Sequence, residues 1–427
     1  LIAVHRKVEM GKMKIDLASH VNGSRLWNSL MEMATIGPGI AGGNNRQTLS
    51  VADCEGRSLF RRWCEDAGME VSVDQMGNMF ACRPGEDPNA DAVCMGSHLD
   101  TQPAGGRFDG VLGVLGGLEV VRTLNDLGVR TRRPIVVANW TNEEGSRFAP
   151  VMMASGVFAG IRSLEDAYES RDKEGKRFGT ELELAGWKGA EQVGVRKFAA
   201  YIELHIEQGP ILEAEGVDIG VVTAGQGLTW LKVTLSGRSA HAGSTPMSRR
   251  RDAGLGAARV VNLVNQVALD RQPNAVGTVG RLEISPNSTN SVAGSADLMI
   301  DIRSPDSAVL KAMEEQINQG IRSIAEELGL ECEITRVQYA EPVAFNDECL
   351  RAIRQANAAL GYKSRDVVSG AAHDAYWLSR VTPTAMIMCP CVDGVSHNEA
   401  EDISPEWATA GTNVLLHTVC TISGAVD

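Results

Sequence analysis

The chain has 427 residues, 43% of them hydrophobic, and a formal net charge of −13. Such a length exceeds one average domain and supplies apolar side chains for sizeable cores, so two domains are expected. The acidic balance excludes a nucleic-acid footprint, and the want of a long uninterrupted apolar stretch argues against a membrane protein; nine scattered cysteines without a CxxC pair point to a reducing cytoplasm.

The opening segment LIAVHRKVEMGKMKI is basic but has no apolar core of the kind that directs secretion, so none is expected. From about Asp16 to Glu213 helical and strand patterns alternate, which predicts the doubly wound half of an α/β domain. The Gly-rich stretch GPGIAGGNNRQ, after the first helix, reads as a loop near a crevice or a turn. Strand DAVCMGSHLD then carries His98, a Gly-rich turn leads to Asp109, and helix GVLGGLEVVRTLNDLG follows. Strand RPIVVANWTNEE ends in Glu143 and Glu144, a charged and Gly-rich surface excursion runs from Arg162 to Lys197, and strand KFAAYIELHIEQ carries His205.

A second pattern begins near Gly216. Strand LTWLKVTLSG, helix RRDAGLGAARVVNLVNQVAL, strands NAVGTVGRLEIS and SADLMIDIRS, helix DSAVLKAMEEQINQGIRSIAEELG and strand ECEITRVQYA make a βαββαβ unit of ferredoxin-like type. Beyond it, strand TPTAMIMCPC leads to DGVSHNEAED, where His397 lies. The expected division is therefore a catalytic α/β domain over 1–215 and 337–427, interrupted by a smaller domain over 216–336.

In open α/β sheets ligands gather where parallel strands end, so His98, Asp109, Glu144, His205 and His397 are expected to converge on one crevice. A His and carboxylate set without cysteine suits a catalytic pair of divalent ions better than a closed structural site. Asp109 is the candidate bridge, with His98 and His205 on one ion and Glu144 and His397 on the other. Such ions lower the pKa of a water between them. Glu143 is assigned as the general base, because neighbouring side chains at a strand end point different ways. Asp100, two residues past His98, is placed to accept that imidazole's second N–H. Cys389 and Cys391 read as buried strand-end thiols, and His5, His20 and His417 as structural or exposed.

The motifs GSHLDTQPAGGRFDG, NEEGSRF, ELHIEQGP, GRSAHAGSTPM, NSVAGSADLMIDIR, SGAAHDA and DGVSHNEAED together resemble the di-zinc amidohydrolases that include N-carbamoyl-L-amino-acid hydrolase, allantoate amidohydrolase and β-ureidopropionase. The resemblance runs through nearly the whole chain. It implies a di-zinc-peptidase-like catalytic domain, an inserted lid that also pairs two subunits of a homodimer, and the same ligand and base residues. His205 points to the carbamoylase branch, since related peptidases and aminoacylases place a carboxylate there. By the same resemblance Gln208, Asn290 and Arg303 contact the substrate, with the Arg303 fork on its carboxylate unless it pairs with Asp301 or Asp306. His241 is implied as oxyanion donor and Gly370 as a backbone contact, while His373 and Asp374 shape their loop. Ala372 stands where relatives often have Gly.

The expected activity is hydrolysis of an N-carbamoyl-L-amino acid to amino acid, carbon dioxide and ammonia. Allantoate amidohydrolase or β-ureidopropionase would use the same machinery, and a di-zinc peptidase or aminoacylase is a more distant rival. The metal is expected to be zinc, with manganese, cobalt or nickel able to occupy the same ligands.

Overall fold

A computed structural model describes residues 20–426; His5 and the basic opening segment lie outside them. The chain divides into two compact units. The first runs to Thr223 and resumes over Phe345–Val367 and from Ala371, and the second comprises Ala224–Ala344 with Val368–Gly370.

The strands of the first unit's sheet that position the site are β1 (Glu70–Val73), β2 (Met79–Arg83), β3 (Ala92–His98), β4 (Ile135–Trp140), β5 (Phe198–Ile206), β6 (Ile219–Gly225) and β7 (Thr384–Cys389). They lie in the order β1-β2-β4-β3-β5-β7-β6. The four central strands, β4, β3, β5 and β7, are parallel to one another, while β1 and β2 on one side and β6 on the other pair antiparallel. The sheet is thus mixed, with a parallel centre of the kind the doubly wound pattern predicts and antiparallel strands at its sides. Every residue of β4 and β7 is buried, which is why these segments read as continuous apolar runs without alternation. Helices Val111–Asp126 and Pro405–Ser423 pack on the sheet, and both are buried along most of their length. The excursion after Arg162 contains two short helices, Leu164–Glu169 and Phe178–Leu184, the second held by buried Phe178 and Leu182.

The second unit is a four-stranded antiparallel sheet in the order Val276–Ser285, Ser295–Ser304, Gly227–Ser236, Glu331–Ala340. Strand Ser295–Ser304 alternates strictly between buried and half-buried residues. Its inward Leu298, Ile300 and Ile302 meet Val260 and Val264 of helix Ala253–Leu269 and Leu310, Met313 and Ile317 of helix Ser307–Leu328 in one core. Asp252 and Asp306 cap these helices by accepting two backbone N–H groups each.

Both unit boundaries differ from the expected 216–336. Residues 216–223 stay with the first unit because β6 pairs antiparallel with β7, Val222 opposite Met386. At the other side the last strand continues to Ala340, past a register shift between Arg336 and Gln338. The segment ECEITRVQYA, read as one strand, is one strand over Glu331–Ala340, and the second unit runs on to Ala344, so a division at 336 cuts through it. Among the described residues no helix is long and apolar enough to cross a membrane.

Candidate metal centre

Three strand ends deliver the site. His98 closes β3 opposite Trp140, the last residue of β4, and His205 near the end of β5 lies opposite Met388 of β7. Beyond β4 the backbone turns left-handed at Asn142 (φ 59°), whose amide donates to the Phe148 carbonyl at 2.8 Å. The Glu143 carbonyl accepts from Met152 N–H at 2.6 Å. This fixed turn directs the two consecutive acids, Glu143 and Glu144, to different neighbours. Asp109 is brought back by Gly110 (φ 69°), where a Cβ would overlap the His98 ring, so only glycine fits. His397 itself sits at φ 52°.

Asp109 stands at the centre of the group. Its Oδ1 is 3.1 Å from His205 Nε2 and 3.6 Å from His98 Nε2, whereas its Oδ2 is 3.4 Å from His397 Nε2. Glu144 Oε2 is 3.5 Å from the same His397 nitrogen. Two donor sets therefore share one carboxylate: His98, Asp109 and His205 on one face, and Asp109, Glu144 and His397 on the other. Glu143 Oε2 lies 3.5 Å from His98 Nε2 and belongs to neither set.

The ring tautomers suit cation binding. His98 Nδ1 is 2.8 Å from the Asp100 carbonyl and His205 Nδ1 is 2.9 Å from the Ile206 carbonyl. A carbonyl only accepts, so each Nδ1 carries a proton, and in the neutral ring each Nε2 keeps a lone pair that a cation beside Asp109 would take up. The Asp100 contact thus comes from its backbone and not from its carboxylate, which is 3.9 Å away. That carboxylate instead accepts from Thr48 Oγ1 at 2.8 Å and from the backbone N–H groups of Glu143 and Glu144 at 3.3 Å. Asp100 therefore braces two ligand-bearing segments at once.

The electrostatics show a shortage of positive charge. Burial lifts the Glu143 carboxyl well above its usual range against the pull of His98, and Asp374, Glu144 and Asp109 add to the lift. Burial, with Asp109 beside it, pushes Glu144 up to about 8. Burial opposes the charged form of His98, but Glu143, Asp109 and Asp100 outweigh it and raise its pKa; Asp109 and Glu203 do the same for His205. Asp109 is the exception: its contacts with His205 and His98 outweigh burial and hold it well below the usual carboxylate range. Buried acids that suppress one another's ionisation, beside imidazoles whose protons a cation would displace, form a donor set that divalent cations fit.

Several supporting residues escaped the reading of the sequence. Glu401 is buried and accepts from the backbone N–H groups of Phe108 and Asp109 at 2.9 and 3.1 Å. Ser396 Oγ lies 3.1 Å from Asp109 Oδ2 and 3.0 Å from Glu401 Oε2. The Gln102 side chain donates to Glu144 Oε2 at 2.7 Å. Glu203 accepts from Ser97 Oγ at 2.7 Å and, with His205 and His373, forms a third buried group of donors. An acid two residues before His205 in an apolar strand was the available signal for Glu203; nothing in the local pattern marked Gln102.

Gln208, at φ 56°, donates to Asp109 Oδ2 at 2.8 Å and Ser396 Oγ at 3.1 Å, so its present partners are the site's own residues. The His373 ring packs 4.4 Å from that of His205, and Asp374 is fully buried beside it in sequence. Cys389 and Cys391 are buried thiols whose pKa values burial raises, to about 11 for Cys391, and neither enters a donor group among the described residues. His417 is buried in the last helix and His20 is exposed.

The remaining expected contacts lie in the second unit. His241 and Asn290 share a short ribbon in which Ser291 pairs with His241 and the Ala242 N–H donates to the Asn290 carbonyl at 2.8 Å. His241 Nδ1 accepts from the backbone N–H groups of Gly243 and Ser244 at 3.0 and 3.2 Å, so in the neutral ring the proton sits on Nε2. Arg303 makes a bidentate pair with Asp301, Nε to Oδ1 at 3.0 Å and Nη2 to Oδ2 at 2.8 Å, and Nη1 donates to the Gly370 carbonyl at 2.9 Å. The pairing with Asp301, raised as an alternative to carboxylate binding, is thus present.

Parallel strands that bring imidazoles and carboxylates to one buried point of a mixed sheet define a candidate metal-dependent hydrolase. Peptidase family M20/M25/M40 matches residues 94–421, more than half of the chain, and the chain belongs to that family. It is similar to the N-carbamoyl-L-amino-acid amidohydrolase of Rhizobium meliloti, 59% identical over 407 residues that cover 95% of this chain and 98% of the relative. The ureidoglycolate hydrolase of Arabidopsis thaliana is 32% identical over 431 residues, 98% of this chain and 90% of the relative. Among solved structures, an amidase of the hydantoinase/carbamoylase family from Burkholderia multivorans superposes with a TM-score of 0.94 at 52% identity, covering 95% of this chain and 99% of that one.

Proposed function

We propose that the protein hydrolyses the ureido C–N bond of an N-carbamoyl-L-amino acid, releasing the amino acid, carbon dioxide and ammonia. The observation that carries the reaction class is Asp109, which turns one oxygen to His98 and His205 and the other to His397 near Glu144. The Rhizobium relative's activity supports the substrate class.

The donors fit two divalent ions, one at His98, Asp109 and His205 and the other at Asp109, Glu144 and His397. Zinc suits this set, and manganese, cobalt or nickel would occupy it. When bound, such ions supply carbonyl polarisation and a more acidic water. Glu143 takes the proton of the attacking water and delivers it to the leaving nitrogen. His241 keeps its Nε2 proton for the oxygen of the tetrahedral intermediate, because its Nδ1 is already held by two backbone N–H groups. Arg303, Asn290 and Gln208 anchor the substrate's carboxylate end and Gly370 adds a backbone contact. To do so Arg303 exchanges part of its contact with Asp301 for the substrate.

The smaller unit is read as the lid and pairing module of a cytoplasmic homodimer. Nine free cysteines support a reducing compartment, and solution mass tests the dimer.

The Arabidopsis relative favours one further reading, a ureido substrate of the ureidoglycolate or allantoate kind. Ammonia release from N-carbamoyl-L-amino acids, N-carbamoyl-β-alanine, ureidoglycolate and allantoate, with an N-acetyl amino acid and a dipeptide as controls, tests both. Turnover of N-carbamoyl-L-amino acids is the expected result. Turnover of the controls alone moves the protein to the peptidases and aminoacylases.

A further inference from the structure

His397 is the least supported of the five donors. Its side chain is 54% exposed, its backbone is left-handed, and among the described residues no carbonyl accepts from its ring as Asp100 and Ile206 do for His98 and His205. It lies on the connection between β7 and the last helix, so regular structure does not hold it in place.

What does hold that connection is the Gly-rich stretch after the first helix. Glu399, two residues beyond His397, places its Oε2 among the backbone N–H groups of that loop, accepting from Ala41 and, at 3.2 Å, from Gly43. A Cβ at Gly39 would overlap the Glu399 carboxylate and one at Gly43 would overlap the Glu399 backbone, so the glycines form a socket that other residues would fill.

The socket is anchored on the rest of the site. Asn44 exchanges two backbone hydrogen bonds of 2.9 Å with Gly105 in the turn that leads to Asp109. Buried Arg46 donates from Nε to the Leu99 carbonyl at 2.9 Å, next to His98, and its carbonyl accepts from Thr101 N–H at 3.0 Å. One loop therefore grips three ligand-bearing segments: that of His98 through Arg46, that of Asp109 through Asn44, and that of His397 through Glu399.

We infer that Glu399, seated in the backbone socket of residues 39–43, is a positioning residue that sets His397 against Asp109 and Glu144, so that its loss loosens one half of the metal centre and spares the other. The inference rests on the two-ion reading above. It gives the Gly-rich stretch a role that neither the family resemblance nor the ligand set assigns.

The test is a zinc titration of the demetallated full-length protein, read by calorimetry and by metal content after dialysis, for the wild type, Glu399→Ala, Glu399→Gln, Gly39→Ala and His397→Ala. Two ions are expected on the wild type. Glu399→Ala and Gly39→Ala should weaken one ion by roughly 10–100-fold and leave the other unchanged, as loss of an outer support does. Glu399→Gln, which keeps an acceptor oxygen, should recover most of that loss. Adding Glu399→Ala to His397→Ala should cost nothing further, since both act on the same ion.

Two ions on Glu399→Ala with wild-type affinities, or an equal loss at both, overturns the inference and leaves the two-ion reading standing. Fewer than two ions on the wild type overturns that reading, and the inference with it. Should Glu399→Ala not fold, Gly39→Ala and Glu399→Gln carry the same comparison.

Discussion

The donors of the first unit and the expected substrate contacts of the second are held in different ways. His98, Asp109, Glu144 and His205 are all buried, and their orienting partners are backbone groups or other buried side chains. His241 and Asn290 are exposed on a short ribbon, and the Arg303 fork is already engaged by Asp301. The first arrangement is set by the fold before any ligand arrives, and preorganised donors lose little when a cation binds. The second presents its groups and must exchange existing contacts for new ones. Substitutions in the first region should therefore act on chemistry or metal content, and those in the second on kcat and KM separately.

The largest expected effect is at Glu143. Glu143→Gln removes the proton acceptor while keeping the shape, so kcat should fall by roughly 10²–10⁴ while metal content stays at the wild-type level. Retention of substantial activity would remove Glu143 from the base role. His241→Ala should lower kcat by about 10²–10³ with little change in KM, the loss typical of one oxyanion donor. An effect confined to KM would instead place His241 among the binding residues.

At Arg303 the comparison sharpens further. Arg303→Ala should raise KM by roughly 10–100-fold, since a charge-assisted pair is worth about 1.5–3 kcal/mol, and should leave kcat closer to wild type. Asp301→Ala distinguishes the two uses of the same fork. If Asp301 positions the guanidinium for substrate, KM rises; if it merely competes with substrate, KM falls.

Much of this was legible in the sequence, for a physical reason. Strands buried on both faces leave continuous apolar runs, so a His or Glu at the end of such a run stands out, and this marks His98, Glu144 and His205 as candidates. The order of strands and helices in the second unit was equally plain. What stayed hidden is whatever depends on distance in space: the Asp301 partner of Arg303, the Gln102 amide on Glu144, and the socket that ties Glu399 to a loop some 350 residues earlier. The boundary expected at 336 falls inside Glu331–Ala340, a segment whose residues already read as one strand, so the division cut an element that the sequence had marked.

The smallest effect expected is on stability, and its sign separates a centre built for cations from an ordinary buried acid cluster. With no cation at the centre, burial and Asp109 push Glu144 up to about 8 and Glu401 up to about 7. A carboxyl whose pKa is raised on folding favours the folded state below its unfolded pKa of about 4.5, and that contribution is lost as pH climbs through the folded value. The demetallated protein should therefore melt at progressively lower temperature between about pH 4.5 and 8, and Glu144→Gln should flatten part of the slope. Added zinc should reverse the trend, because binding requires the ionised donors that rising pH supplies. Melting curves across that range, with and without zinc, make the comparison. A slope of the same sign in both would mean that these acids titrate without reference to a cation, and the buried half of the molecule would then be no better prepared for its ligand than the exposed half.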